Sequence, residues 1–168
     1  MIATMHELPA IRVISATSEW RSALLSLRVT ASQRDFVSDI APSLSDADNC
    51  PGSTPMAILR NDEPVGYYRI EMNAGSVIAR DFDRPALGLR SFFIDHRWQG
   101  QGLALQALTA LIDDLAVRHP EARLLVLLVN CRNLGALRLY LRARFVNTGE
   151  LYHGGRSGPQ HLLWRALP

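Results

Sequence analysis

The chain has 168 residues, of which 48% are hydrophobic and 20% are charged, and its formal net charge at pH 7 is +2. This length predicts a single domain, residues 1–168, with enough chain to bury a core. The small net charge and the lack of a basic run argue against a partner made of nucleic acid. All 18 basic residues are arginine, which excludes a catalytic or Schiff-base lysine.

The apolar runs and the cysteines of the sequence indicate where in the cell the protein is expected. The longest apolar run, residues 124–129, is far too short to span a bilayer, so no membrane partner is predicted. The first residues lack a basic region followed by a long apolar run, so no signal peptide is predicted. Cys50 and Cys131 match no metal-ligand spacing and are typical of reduced thiols, which predicts a cytoplasmic protein without a metal site.

The first part of the chain predicts a strand and two helices. Residues 11–15 alternate between apolar and polar side chains, as in a half-buried strand. Thr17 or Ser18 follows as a helix cap, with apolar residues at helical spacing behind it. A second helix is predicted over residues 32–46, with a break near Pro42.

Three strands are predicted next. Residues 55–60 and 65–73 are rich in apolar and β-forming side chains, and residues 61–64 between them have the composition of a tight turn. A polar connection over residues 74–85 leads to the short apolar strand 87–94. These strands precede the most informative stretch of the chain.

That stretch is a glycine-containing turn between a strand and a helix. Residues 103–119 repeat apolar side chains at the spacing of an amphipathic helix, and Gly100 and Gly102 stand just before it. The first N–H groups of a helix have no intrahelical partner, and the helix dipole places partial positive charge there. Glycines allow a phosphate to approach these groups closely, so the turn is predicted to hold a phosphate.

The turn differs from two well-known phosphate-binding loops. A Walker loop needs a lysine, and a dinucleotide fingerprint needs a third glycine where Leu105 stands. The pattern Gln99-x-x-Gly102-x-Ala104 instead resembles the Q/R-x-x-G-x-G/A signature of the GNAT superfamily of acetyl-CoA-dependent N-acetyltransferases. In that family the turn wraps the pyrophosphate of coenzyme A, which implies acetyl-CoA as co-substrate and no metal.

A second motif supports the same resemblance. Asn133, Ala136 and Tyr140 share one face of a predicted helix and look like the N-x-x-A-x-x-x-Y-x-x-x-G-F motif of GNAT enzymes. Arg144 departs from that motif, because it stands where the pattern has glycine before Phe145. If the glycine serves a left-handed turn, arginine is strained there or the turn differs.

The resemblance covers residues 11–167 and implies the fold. Strand 124–129 follows the central helix, and residues 146–151 and 161–166 are the predicted closing strands. The expected class is α/β (α+β): a mixed, mostly antiparallel twisted sheet with a central β-α-β-α acetyl-CoA-binding core and helices on both faces.

The resemblance also implies where acetyl-CoA is held. In the family the fourth and fifth strands splay apart around the pantetheine, which here involves residues 92–94 on one side and residues 129–130 on the other. The turn around Gly102 would bind the pyrophosphate. The residues that the resemblance places around acetyl-CoA are Phe92, Phe93, Ile94, Gln99, Gly100, Gln101, Gly102, Leu103, Ala104, Asn130, Asn133 and Tyr140.

Acetyl transfer to an amine needs an acid, a polarised thioester and a base. Tyr140 is the acid by resemblance, with a packing tyrosine as the alternative, and a backbone N–H near Ile94 would polarise the thioester oxygen. Glu71 is the first candidate base because it falls late on the third strand, near the expected pocket. Asp81, Asp83 and Asp95 are alternative relays for the proton, and Asp35 and Asp39 could attract a cationic amine.

The acceptor is predicted to be a small-molecule primary amine. The N-terminal sequence pattern resembles the branch of the family that acetylates diamines and polyamines. The pattern is Leu27-x-Val29-x-x-x-Gln33-x-x-Phe36-Val37, followed by Ser43-Leu44-x-x-Ala47. Another acceptor, such as an amino acid, an antibiotic or a protein amino terminus, remains open. So does an acyl-CoA-binding module without turnover, for which Arg144 is the hint. The oligomeric state is also open, with a homodimer as one alternative.

Overall fold

Seven strands form one sheet in the computed structural model, which describes residues 10–168. The first nine residues, on which the expectation of no signal peptide rests, lie outside the described residues. The strand order is β1-β2-β3-β4-β5-β7-β6, and every neighbouring pair is antiparallel except β4 and β5, which are parallel. The strands are β1 Ile11–Ser15, β2 Ser53–Arg60, β3 Glu63–Glu71, β4 Ala86–Ile94, β5 Leu124–Asn130, β6 Val146–Tyr152 and β7 Gln160–Ala166.

Helices cover both faces of this sheet. The helices are α1 Ser18–Leu24, α2 Ile40–Asn49, α3 Leu103–Arg118 and α4 Leu134–Arg142. Side chains of a strand alternate between its two faces, and Tyr67 and Tyr68 of β3 belong to different core clusters. Tyr68 packs in the cluster that includes α3 and α4, whereas Tyr67 packs with α1 and α2. The predicted class, a mixed and mostly antiparallel sheet with helices on both faces, is confirmed.

The predicted helix over residues 32–46 is wrong. The structure has one 3-10 turn, Ala31–Gln33, then an irregular segment, and only then α2, Ile40–Asn49. Pro42 does not break this helix, because it lies in the first turn of α2, where a backbone N–H has no intrahelical partner to lose. The apolar residues of the irregular segment matched a helical spacing by chance. The other strands and helices lie within a few residues of their predicted positions.

Arg144 keeps the left-handed turn that a glycine would favour. Its φ is +70°, and it follows α4 as the residue after the C-cap Ala143. The Phe145 N–H donates to the Tyr140 carbonyl at 3.0 Å, and the Arg144 N–H donates to the Leu141 carbonyl at 3.1 Å. This is the Schellman pattern that ends many helices, so the turn is intact and arginine carries the strain.

Replacing Arg144 with glycine is expected to stabilise the protein by about 1 kcal/mol, which corresponds to a rise in Tm of about 2–4 °C. Glycine removes the cost of a left-handed side chain, although part of the gain is offset by the greater freedom of the unfolded chain. The change also removes a positive charge near Arg165. Burial is the main cause that lowers the pKa of Arg165, and the charge of Arg144 is the second.

Arg142→Gly is the matched control for this experiment. Arg142 is the last residue of α4 and has a helical conformation, so glycine there is expected to lower the Tm. Thermal unfolding of both variants measures the effect. A lower Tm for Arg144→Gly would show that the left-handed turn costs nothing in this chain.

Candidate active site

A cleft of about 540 Å³ opens where β4 and β5 separate. The two strands pair over only three positions, from Ala86 opposite Leu124 to Gly88 opposite Val126. Beyond these pairs, residues 89–92 of β4 and residues 127–130 of β5 form the two walls. The cleft thus exposes backbone groups of both strands that a continuous sheet would pair.

A bulge in β4 shapes one wall of the cleft. Ser91 has a φ of +57°, and the register with β3 shifts there, from Tyr67 opposite Phe93 to Arg69 opposite Arg90. Within the described strands, Ser91 and Phe92 have no register partner in either neighbour. Bulges of this kind re-aim backbone groups and recur beside active sites. The hydrophobic pattern of the sequence contains no signal for it.

The three predicted β4 residues are placed differently. Phe92 lines the cleft. Phe93 is buried and lies against Tyr67, with ring centroids 6.3 Å apart, and Ile94 is buried in the core beside α3. The structure therefore brings the Ser91–Phe92 bulge, rather than the side chains of Phe93 and Ile94, to the cleft wall. On the β5 side, Asn130 lines the cleft as expected.

The glycine turn leaves open space before α3. Gly100 and Gly102 have φ values of +78° and +76°, which L side chains rarely adopt. A Cβ atom built on either would meet no atom within 4 Å, so the glycines answer a conformational need and not internal crowding. Gln101 and Gly102 are exposed, Ala104 is half-buried and Leu103 anchors the helix in the core. The N-terminal N–H groups of this long helix are thus accessible to a phosphate.

Gln99 fastens this turn to two other segments. Its Nε2 donates to the Ile94 carbonyl at 2.8 Å and to Gln33 Oε1 at 2.9 Å. Gln33 Nε2 donates back to Gln99 Oε1 at 3.3 Å, and Gln33 Oε1 also accepts from the Thr30 N–H at 3.2 Å. Gln99 therefore connects the glycine turn to the end of β4 and to the 3-10 turn Ala31–Gln33.

Asp95 holds the beginning of the same turn. It is fully buried and accepts hydrogen bonds from the Arg28 N–H at 2.7 Å, the Arg97 N–H at 3.2 Å and Arg97 Nε at 2.7 Å. Burial alone would raise the pKa of Asp95, but these donors outweigh it and lower the pKa. Asp95 is thus an ionised structural group at the glycine turn.

Tyr140 lies on the opposite wall of the cleft, on α4. Its ring packs edge-on against Phe92 and Phe145, with centroids 6.3 Å and 5.6 Å away. Burial raises the pKa of the Tyr140 hydroxyl, so the group stays protonated at neutral pH. No residue between 10 and 168 hydrogen-bonds to this hydroxyl, and Tyr140 lines the cleft. Its proton is therefore free for a group bound there.

Two asparagines between β5 and α4, Asn130 at the end of β5 and Asn133 at the N-cap of α4, have structural partners. Asn133 Oδ1 accepts from the Ala136 N–H at 3.3 Å and so caps α4, while its side chain also lines the cleft. Asn130 Nδ2 donates to the Ser157 carbonyl at 2.9 Å, and its Oδ1 accepts from the Arg132 N–H. Ser157 in turn donates to the Asp35 carbonyl at 2.6 Å. These bonds join α4, the β6–β7 loop and the roof segment, which we define as residues 34–38.

Glu71 does not line the cleft. It is buried, and its Oε1 lies 3.0 Å from Arg69 Nη2, 3.0 Å from the Ser53 hydroxyl and 3.6 Å from Arg90 Nη1. Arg69 is also buried and pairs with Asp46 of α2 at 2.8 Å. The structure places Asp39, Asp81 and Asp83 at exposed positions outside the cleft lining.

The described residues contain neither a membrane-spanning helix nor a metal-binding cluster. Between residues 10 and 168, no helix is long and apolar enough to cross a membrane. The part of the chain that the structure describes also contains no group of three or more His, Cys, Asp or Glu side chains arranged to hold a metal ion.

The chain is similar to known acetyltransferases in sequence and in fold. A model of the Acetyltransferase (GNAT) family matches residues 18–145. The spermine/spermidine N(1)-acetyltransferase of Bacillus subtilis (strain 168) is 30% identical over 148 residues, which cover 88% of this chain and 95% of that protein. The sequence resemblance to this family is confirmed.

Two solved structures show the same fold at low sequence identity. An uncharacterised protein of Bacillus halodurans has a TM-score of 0.77 at 16% identity, over 93% of this chain and 83% of that one. Aminoglycoside acetyltransferase AAC(6')-Ib, in complex with coenzyme A, has a TM-score of 0.73 at 19% identity, over 94% of this chain and 95% of that one.

The protein is expected to lose stability steeply above pH 10. Burial raises the pKa of Tyr67, Tyr68 and Tyr140, whereas phenols of the unfolded chain ionise near pH 10. The unfolded state therefore releases protons first, and each tyrosine removes about 1.4 kcal/mol of stability per pH unit above that point. Urea unfolding across this pH range measures the slope, which should be shallower in Tyr68→Phe. Reversible ionisation of all three phenols near pH 10 in the folded protein would contradict the expectation.

Proposed function

This chain belongs to the GNAT family of acyl-CoA-dependent N-acetyltransferases, and we propose that it moves an acetyl group from acetyl-CoA directly to a primary amine of a small molecule, with Tyr140 as general acid. One observation carries the proposal. A protonated phenol without a hydrogen-bond partner in residues 10–168 faces the same cleft as a β4 bulge with unpaired backbone, and the glycine turn follows the end of that strand.

The cleft residues support binding of the co-substrate as follows. The N–H groups that follow Gly100 and Gly102 hold the pyrophosphate at the start of α3. Phe92, which has no register partner in the described strands, lies on one wall, and the side of β5 beyond Val126 that faces away from β7 lies on the other. Their backbone groups pair with the amides of the pantetheine. Acetyl-CoA supplies the acetyl group as a thioester, whose carbonyl oxygen would lie at the bulge.

Acetyl transfer then requires one bond to form and one to break. The amine, after losing a proton, attacks the thioester carbon, so that a C–N bond forms and the C–S bond breaks. A backbone N–H of the Ser91–Phe92 bulge stabilises the negative charge that develops on the carbonyl oxygen. Tyr140 donates its proton to the departing thiolate, the acylated nitrogen releases its second proton to water, and Tyr140 recovers a proton from water. The raised pKa of Tyr140 keeps this proton in place until the thiolate forms.

The base that deprotonates the amine stays a prediction. Glu71 is the first candidate from the sequence, but its carboxylate lies between Arg69 and Arg90 and does not line the cleft. Among the described residues that line the cleft, Asp35 is the only carboxylate. Removal of the amine proton by bulk water through the open cleft requires neither residue.

Diamines and polyamines are the acceptors that sequence similarity favours. The Bacillus subtilis relative is named for spermine and spermidine, and 30% identity over most of both chains supports a related acceptor. The second possibility is an acetyltransferase for a different amine. The third is a module that binds acyl-CoA without turnover. The free hydroxyl of Tyr140 speaks against the third, since binding alone does not need a proton donor.

Tyr140→Phe is expected to lower kcat by about 10²–10⁴-fold while acetyl-CoA affinity stays nearly unchanged. The phenyl ring preserves the packing on Phe92 and Phe145, and only the proton is lost. Tyr68→Phe is the control, because its buried hydroxyl has no partner in residues 10–168 and does not line the cleft. Steady-state release of thiol and calorimetric binding separate the two effects. Unchanged kcat in Tyr140→Phe would exclude Tyr140 as the acid.

Gly102→Glu is expected to abolish binding of acetyl-CoA, because the carboxylate would repel the pyrophosphate and occupy its space. The matched control is Gly149→Glu on β6. Gly149 has a φ of +81° and equally open surroundings, so it shares the backbone strain but lies away from the cleft. Calorimetry with acetyl-CoA measures both variants. Full affinity in Gly102→Glu would show that the pyrophosphate lies elsewhere.

A further inference from the structure

We infer that the acceptor amine also carries an oxyanion, a carboxylate or a phosphate-like group, and that Arg90 binds it. The inference rests on the proposed acetyl transfer, but from the charge of the cleft it selects the alternative acceptor, a different amine, over the diamines and polyamines that sequence similarity favours. Arg90 lies on β4, two residues beyond the last pair with β5 and one residue before the bulge at Ser91. It is therefore next to the point where the amine would attack.

Arg90 projects to the face of the sheet opposite Tyr140. Its neighbour Leu89 packs in the core cluster of α3 and α4, and successive strand residues point to opposite faces. Arg90 instead lies beside Glu71, which connects through Arg69 to Asp46 of α2. An acceptor that enters from the α2 face would meet Arg90 without passing the phenol.

The guanidinium of Arg90 has donors to spare. Its side chain is 37% exposed and lines the cleft, and it makes no hydrogen bond to any residue of the described chain. Glu71 Oε1 is 3.6 Å from Arg90 Nη1, beyond hydrogen-bond range. The same oxygen makes closer contacts with Arg69 and with the Ser53 hydroxyl. Arg69, by contrast, is 2% exposed and fully engaged with Asp46 and Ser53. A guanidinium whose N–H groups are not hydrogen-bonded can bind a carboxylate or a phosphate through two parallel hydrogen bonds.

The charge of the cleft points the same way. Its lining contains three arginines, Arg34, Arg90 and Arg156, and one carboxylate, Asp35. Arg34 follows Gln33, which bonds the glycine turn, and therefore lies where it can meet phosphates of the co-substrate. Because of the bulge, Arg90 and Ile94 lie opposite β3 residues only three positions apart, so Arg90 is about 10 Å along the sheet from the end of β4. It is thus set back from the glycine turn and faces the expected position of the acceptor. A second ammonium group at this place would be repelled.

A series of amines of similar chain length tests the inference. The acceptors are 4-aminobutanoate, 3-aminopropylphosphonate, butylamine and 1,4-diaminobutane, which end in a carboxylate, a phosphonate, a methyl group and an ammonium group. Thiol release from acetyl-CoA gives kcat/KM for each. The native protein is expected to favour the anionic amines over butylamine by about 10- to 100-fold, and the two anionic members distinguish carboxylate from phosphate-like groups.

Three variants assign the preference to Arg90. Arg90→Gln is expected to abolish the anionic preference, and Arg90→Glu is expected to favour the diamine. Arg84→Gln is the control, because Arg84 precedes the same strand, pairs with Asp83 and does not line the cleft. Ratios between acceptors are compared within each variant, so a general loss of folding or turnover does not affect the result. Acetyl-CoA affinity should be unchanged in Arg90→Gln.

The outcomes separate this inference from the proposed function. Equal use of the four amines, or preference for the diamine by the native protein, would overturn the anionic acceptor and leave acetyl transfer in place. The same holds if only another amine, such as spermidine or an aminoglycoside, releases thiol. A preference that survives in Arg90→Gln would overturn the role of Arg90. The absence of thiol release with every amine tested would overturn both.

Discussion

The separation of β4 from β5 after Gly88 and Val126 is the constraint on which the rest of the structure depends. Two neighbouring strands in a sheet normally satisfy each other's backbone groups, and unpaired buried groups are costly. Here the strands part within three residue pairs and leave an edge on each side of a cleft. The bulge at Ser91 extends that opening to the β3 side. Such a gap inside a sheet is maintained only if its walls are held from behind and its groups meet water or a ligand.

The walls are held by contacts that converge on the residues of the site. On the β5 side, α4 ends in a Schellman turn, in which the Tyr140 carbonyl accepts from the Phe145 N–H and the two rings pack together. The ring of Tyr140 is thereby fixed by the same turn that ends its helix. On the β4 side, Gln99 bonds both the Ile94 carbonyl and Gln33, so the glycine turn is tied to the strand end and to the 3-10 turn that precedes the roof segment.

The sequence predicted the parts of this arrangement that depend on local chemistry. The glycine turn, α3 and the Asn133–Tyr140 face follow from helix-start signals and helical periodicity, and the structure has them within a residue or two. The helix over residues 32–46 was wrong, because apolar spacing cannot distinguish a helix from an irregular segment that packs by tertiary contacts. The Ser91 bulge was missed since a positive φ at a serine depends on the register of two strands. Arg90 was overlooked, although a charged residue inside an apolar strand run was a visible signal.

The cleft passes through the sheet, so the phenol of Tyr140 and the guanidinium of Arg90 lie on opposite faces of it. Tyr140 lies among aromatic rings on the α3 and α4 face, where burial raises its pKa and no cation is among its hydrogen-bond partners. Arg90 and the buried Arg69–Glu71 pair occupy the α2 face. If the guanidinium lay on the same face as the phenol, it would stabilise the phenolate and lower the pKa, which would weaken proton retention before the thiolate forms. In the proposed reaction, a sheet opened between two strands would let the two substrates meet from opposite faces, with the phenol on one face and the guanidinium on the other.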